Sequence, residues 1–156
     1  MQQYKGKQKS LLKDRVQTEN KLGNISALEE EIRKQATNIT EFHSMEILHQ
    51  YDIPVNRGIL VNDTESVIKA LETLDCPVAL KIQSADIPHK SSAGGVALNL
   101  TGNDEVTTSF NTIIQNIKNN NPKASIDGIL VQKMVEPGLE VILGITNKDG
   151  FGPILM

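Results

Sequence analysis

The chain has no tryptophan, two tyrosines and three phenylalanines, so aromatic rings cannot dominate its interior. With 38% apolar residues, a core has to be assembled from Ile, Leu, Val and Ala. Its one cysteine, Cys76, excludes an intramolecular disulfide and points to a reducing, cytoplasmic setting. Beside Pro77 that thiol reads as a small buried apolar group. No apolar run approaches the roughly 20 residues of a membrane helix, and the polar N-terminus does not read as a signal peptide. Excess positive charge is missing too. A net charge of −3 and a pI of about 5.6 leave no electrostatic footprint for DNA or RNA. Neither a nucleic acid nor a membrane is expected as a partner.

What is present is enough for one ordinary domain, since 156 residues can enclose a real core. The charge is uneven along it. Residues 1–21 carry six Lys/Arg against Asp14 and Glu19, a net of +4 that leaves −7 for the rest. Residues 1–24, rich in Lys and Gln, read as a linker or the tail of an upstream module, with a solvated disordered terminus as the alternative. From Ile25 to Gln35 the spacing of Glu and Lys/Arg suits a short solvated helix. Glu29, Glu30 and Glu31 there form a charged face, not a metal site.

Periodicity becomes legible at Thr40, a candidate N-cap for a helix with Phe42, Met45, Ile47, Leu48 and Tyr51 on its apolar side, ending before Ile53-Pro54. His43 and His49 on this helix read as surface or boundary residues. A short strand is expected over 54–61. Asn62 with Glu65 then resembles a capping box that opens a helix bearing Val67, Leu71 and Leu74. Val78, Leu80 and Ile82 alternate with Ala79, Lys81 and Gln83, as a half-buried strand requires, and Val96, Leu98 and Leu100 alternate again. Val106, Phe110, Ile113, Ile114 and Ile117 make the stripe of a helix packed on a sheet. Three strands are expected beyond it: Ile129–Met134, Glu140–Thr146 and Phe151–Met156, the last two joined by the Asp149-Gly150 hairpin signal. The chain stops inside an apolar strand pattern, which reads as a cut within a sheet.

Chemistry concentrates between Pro77 and Gly95. The strand that delivers Lys81 runs into a stretch with Ser84, Asp86, His89, Lys90, Ser91 and Ser92, closed by Gly94-Gly95. Lysines beside glycine amides free of side chains would make an anion cradle. The spacing matches neither G-x-x-x-x-G-K-[ST] nor G-x-G-x-x-G, so on residues alone it is a candidate anion loop. Lys81 as plain surface decoration is the competing reading. Asp86 can orient His89 or help hold a metal, or it can cap the loop backbone.

Several segments in unbroken order carry a resemblance: Ile53-Pro54-Val55, Pro77–Lys81, Asp86–Ser91, Gly94-Gly95-Val96, Gly128–Met134, Glu140–Gly144 and Phe151-Gly152-Pro153. Over about residues 40–156 the chain resembles the ATP-grasp domain of the ADP-forming (NDP-forming) acyl-CoA synthetases, relatives of succinyl-CoA synthetase and of acetyltransferase-fused acyl-CoA synthetase-like proteins. The resemblance implies an α+β, ATP-grasp fold: a basic linker or upstream tail over 1–37, a first lobe over 38–127, and the opening strands of a truncated second lobe over 128–156. It implies an acid-thiol ligase in the intact protein, with this stretch alone inactive. The alternative it leaves is a nucleotide-binding regulatory module of an acetyltransferase, without catalysis of its own.

Site roles follow from the same resemblance. Lys81, Lys90, Gly94 and Gly95 would meet the phosphates of ATP or ADP, and the stretch from Ser84 to Gly95 would close over them. Gln132, Lys133 and Met134 would form a hinge, where Gln132 and Met134 meet the adenine, and Glu140 would take the ribose hydroxyls. His89 would be phosphorylated transiently, because a neutral imidazole is nucleophilic and forms a labile phosphoramidate; a loop histidine that only hydrogen-bonds or orients a phosphate is the competing reading. Pro88 stands where relatives more often have Leu, which leaves the His89-Lys90 pair intact. Mg²⁺ would accompany the nucleotide in the intact enzyme, with its ligands beyond Met156. A CoA-ligase module in the same or another chain and a hetero- or homo-oligomer are also implied.

Overall fold

The computed structural model describes residues 39–75 and 77–156. The basic segment, the helix expected from Ile25 and Cys76 lie outside the described residues. The elements in chain order are α1 (Glu41–Gln50), β1 (Gly58–Val61), α2 (Thr64–Leu74), β2 (Val78–Gln83), β3 (Val96–Leu100), α3 (Asn103–Asn120), β4 (Gly128–Lys133), β5 (Ile145–Lys148) and β6 (Gly152–Leu155). Four strands form an antiparallel sheet in the order β1-β4-β2-β3, while β5 and β6 pair as a separate hairpin.

Alternation along β2 divides the sheet into two faces. Val78, Leu80 and Ile82, with Ile129 and Val131 of β4, pack against Val67, Ala70 and Leu71 of α2 and Val106, Phe110, Ile113 and Ile117 of α3. Burying each of these Val, Leu, Ile and Phe side chains contributes about 1.5–3 kcal/mol, so this layer holds the fold. The opposite face carries Ala79, Lys81, Gln83, Leu130 and Gln132. Helix α1 meets it: the Phe42 N–H donates to Gln83 Oε1 at 3.0 Å, and Gln132 Nε2 lies 3.3 Å from Met45 Sδ.

Several expectations hold and several shift. Thr40 caps α1, with its hydroxyl 3.5 Å from the His43 N–H. The cap of α2 is Asp63, one residue beyond the expected Asn62, because its carboxylate accepts the Ser66 N–H at 2.7 Å. Only Gly58–Val61 of the expected first strand pairs with β4. In β3 the simple alternation fails. The register slips between Val78 and Leu80, Asn99 takes φ 59°, and the extra residue turns Ala97 and Leu100 toward the core while Leu98 stays exposed. Val96, paired with Lys81, consequently stays on the lysine's face.

Residue 128, where a second lobe is expected to open, begins β4. Strand β4 is an inner strand of the first sheet, hydrogen-bonded to β1 and β2 on its two sides. The strand expected over Glu140–Thr146 forms only as Ile145–Lys148, since among the described residues that segment finds one partner, β6. The Asp149-Gly150 turn closes as predicted, with Gly150 at φ 84° and the Phe151 N–H donating to the Lys148 carbonyl.

Candidate functional site

Lys81 leaves β2 on the face opposite the core, opposite Leu130 and Val96 on its neighbouring strands. Its ammonium donates to Glu41 Oε1 at 2.7 Å, and the Lys90 ammonium donates to Glu41 Oε2 at 3.0 Å. One carboxylate thus joins a strand lysine to a loop lysine. All three side chains are under a third exposed, whereas Arg57–Glu46, Lys69–Glu65 and Lys133–Asp75 are solvent-facing pairs of little energetic consequence. Burial pulls the Glu41 carboxyl upward, but hydrogen bonds and charge from Lys81 and Lys90 outweigh it and hold the group below its ordinary range. Glu41 is therefore an anion at neutral pH.

These groups surround a cleft of about 400 Å³, with Lys81 and Val96 from the sheet, Glu41 from α1 and His89, Lys90 and Ser91 from the loop. The loop is fixed at both ends. At its start Ile87 is buried in the core, and Asp86 accepts the Ser125 N–H at 2.8 Å. Asp86 is thus a backbone cap that ties the loop to the α3–β4 connection. At its end Gly94 sits at φ 70°, and the Gly95 carbonyl accepts the Ile82 N–H at 2.8 Å. A Cβ on Gly95 would fall 2.4 Å from Ile82 Cγ2, so only glycine allows the chain this close to β2. The tip, with His89, Lys90 and two serines, projects between these anchors.

The glycine amides serve differently from the expected cradle. The Gly94 N–H donates to the Ser91 carbonyl and the Gly95 N–H to the Lys90 carbonyl, which folds the tip on itself instead of presenting those N–H groups to an anion. Positive charge in this cleft comes from the lysines.

The other expected nucleotide contacts lie apart from it. Gln132 is on the same sheet face but buried, and its amide donates to the Asn56 carbonyl at 2.6 Å. That bond fixes the chain entering β1 against β4. The Met134 N–H donates to the Pro77 carbonyl, and Glu140 is exposed in the stretch between β4 and β5. His43 is half-buried at the start of α1, with Nδ1 2.8 Å from Thr40 Oγ1, and His49 is exposed. Among the described residues no group of three or more His, Cys, Asp or Glu side chains could hold a metal. Glu41 carries a lysine on each carboxylate oxygen, so the acid that lines the cleft does not fit Mg²⁺.

Glu41 is the site residue that sequence reasoning missed. An acid directly after an N-cap reads as a partner of the helix dipole. Its contact with both lysines depends on how α1 crosses β2, for which no local pattern exists.

A loop over an outward lysine strand, with a His-Lys pair at its tip, is the arrangement to compare with known proteins. The family profile for the ATP-grasp domain matches residues 30–156. This chain belongs to the ATP-grasp family. The ATP-grasp chain is 40% identical over 124 residues to the 4-hydroxybutyrate–CoA ligase [ADP-forming] of Nitrosopumilus maritimus, covering 80% of itself and 18% of that protein. It is 35% identical over 127 residues to the beta subunit of acetate–CoA ligase [ADP-forming] I of Pyrococcus furiosus, covering 81% of itself and 55% of that subunit. Among solved structures it matches acetyl-coenzyme A synthetase 1 of Ca. Korarchaeum cryptofilum in complex with coenzyme A and Ca-AMPCP. There the TM-score is 0.78 at 35% identity, over 83% of this chain and 57% of that one. A second structure of that enzyme holds Mg-AMPPCP, with its phosphohistidine segment pointing towards the nucleotide binding site (TM-score 0.62, 29% identity, 83% and 53% covered). The chain thus spans about half the length of the beta subunit it matches and under a fifth of the longer ligase. Among the described residues no helix is long and apolar enough to cross a membrane.

Proposed function

We propose that this ATP-grasp chain supplies the nucleotide-phosphate site of an ADP-forming acyl-CoA ligase, and that His89 carries the phosphoryl group. The observation that carries the reading is the convergence of Lys81, Lys90 and His89 on one cleft, from a strand and a loop that is anchored at both ends. The lysines would neutralise charge on the transferring phosphoryl group, and the loop would limit water around it.

In this reading a ring nitrogen of His89 attacks the γ-phosphorus of ATP, the bond to the β-phosphate oxygen breaks, and ADP leaves. The phosphoryl group then passes to a histidine of a CoA-ligase module and on to the carboxylic acid as acyl phosphate. The CoA thiol displaces phosphate from that intermediate, giving acyl-CoA. The ligases among the relatives support this reaction class. Magnesium would arrive on the nucleotide, and no step here runs through a protein-held metal. Met134 and Glu140 would lie on the base and ribose side. Gln132 would act there through its backbone, its side chain being committed to Asn56.

The test uses the full-length protein and ATP labelled at the γ-phosphate. The expected product is an acid-labile, base-stable phosphoprotein that His89→Ala abolishes. Label retained after that substitution would exclude His89 as the carrier.

A further inference from the structure

Helix α1 contributes an acid, Glu41, to a cleft whose lining also holds Lys81 and Lys90, and its placement is tightly specified. Gln83 is fully buried, with its amide held by the Lys81 and Ile82 carbonyls and its Oε1 accepting the Phe42 N–H. Because Gln83 and Lys81 lie two residues apart on one strand face, and Phe42 and Glu41 are adjacent at the helix start, this bond sets Glu41 over Lys81. Thr40, itself buried, accepts the Ser44 hydroxyl and N–H and fixes the first turn. Each carboxylate oxygen then takes a different lysine, one from the rigid sheet and one from the loop tip. Two ammonium groups this close repel each other unless an anion stands between them.

We infer that Glu41 is a positioning residue: it holds Lys81 and Lys90 side by side as a ready-made phosphate clamp and latches the loop tip over β2. This rests on the nucleotide-phosphate reading of the same cleft. Buried anchoring makes Glu41 a fixed part of the clamp, which stays in place when the anion enters. The bound phosphate then meets two cations whose separation is already set, and binding does not have to order two flexible side chains.

The experiment compares the full-length wild type with Glu41→Gln and Glu41→Asp. One arm measures acylation of individual lysines by acetic anhydride, read by mass spectrometry, without nucleotide. Lys81 and Lys90 should react at least threefold faster in Glu41→Gln while Lys69 and Lys118 keep their rates, a pattern that a general loss of stability would not produce. Unchanged rates at both would overturn the latch. The other arm titrates ATP with Mg²⁺ and, separately, tripolyphosphate. Both should bind at least tenfold more weakly to Glu41→Gln. Glu41→Asp, one methylene shorter, should fall between the two and carries the comparison if the Gln variant does not fold. Equal or tighter binding by Glu41→Gln would show a competitor of phosphate instead of a clamp. If the wild type bound neither probe, the nucleotide reading and the clamp would both fail. The labelling arm would still decide whether Glu41 latches the loop.

Discussion

The four-stranded sheet and the stretch that follows it have the same kind of sequence and opposite surroundings. In β2 and β4 the residues Val78, Leu80, Ile82, Ile129 and Val131 are inaccessible to solvent, covered by α2 and α3. Between Val135 and Met156 the apolar Leu139, Val141, Ile142, Leu143, Ile145 and Phe151 are all exposed, Ile142 at 95%. Hydrophobic alternation therefore states which side chains favour burial, and a covering layer decides whether they achieve it. The sheet has two helices on one face and the start of α1 on the other. The β5–β6 hairpin has nothing comparable among the described residues, and two-stranded hairpins contribute little stability alone.

The most direct way to break this comparison is truncation of one residue from each region. Ile82→Ala should destabilise the chain by about 2–5 kcal/mol, through lost transfer energy and the cavity left between β2 and the helices. Leu143→Ser, at a position 78% exposed, should change stability by no more than about 0.5 kcal/mol. Urea unfolding of the two variants measures both. Equal effects would mean that the 134–156 region is covered after all.

A glycine pair sharpens the same contrast at smaller scale. Gly95→Ala places a methyl 2.4 Å from Ile82 Cγ2, and relief of that clash should cost about 1–3 kcal/mol. The Gly95 N–H closes the loop on the Lys90 carbonyl, so the adjustment should also displace Lys90 and weaken ATP binding in a calorimetric titration. Gly138→Ala, with open space around the added methyl, should alter neither.

Where sequence reasoning succeeded, the physics was local. The stripe on α3, the Thr40 cap, the outward Lys81 and the Asp149-Gly150 turn depend on periodicity or on one residue's conformational preference. Recognition of the family likewise used short motifs in fixed order, and the matched profile bears it out. Where it fell short, the cause was tertiary. The bulge at Asn99 reverses which β3 residues face the core, and nothing in Val96–Leu100 announces an extra residue. The place of β4 inside the first sheet follows from strand pairing across long sequence separations. Gln132 is polar yet buried, because its amide donates to the Asn56 carbonyl, a partner 76 residues away. Glu41 gains its role only because Gln83, more than 40 residues away, receives the Phe42 N–H.

The smallest expected effect concerns that carboxylate. Its folded value lies below the ordinary 4.5, because the opposing lysines outweigh burial. A depressed carboxyl contributes stability in full above its unfolded value, and the contribution is lost as pH falls through the folded one. Wild type should therefore exceed Glu41→Gln by a constant margin of under about 1 kcal/mol near neutral pH, as partly exposed ion pairs do. The margin should shrink once pH drops below 4.5. Asp63 and Glu105 are also held low, by the Ser66 N–H and by the Thr101 N–H. They are present in both proteins, so their contribution cancels in the difference. Urea midpoints measured for the two proteins from about pH 6 down to about pH 3 isolate the Glu41 contribution. A margin that persists unchanged at the acid end would mean that Glu41 supports the fold by packing, and that its charge is not what holds the two lysines together.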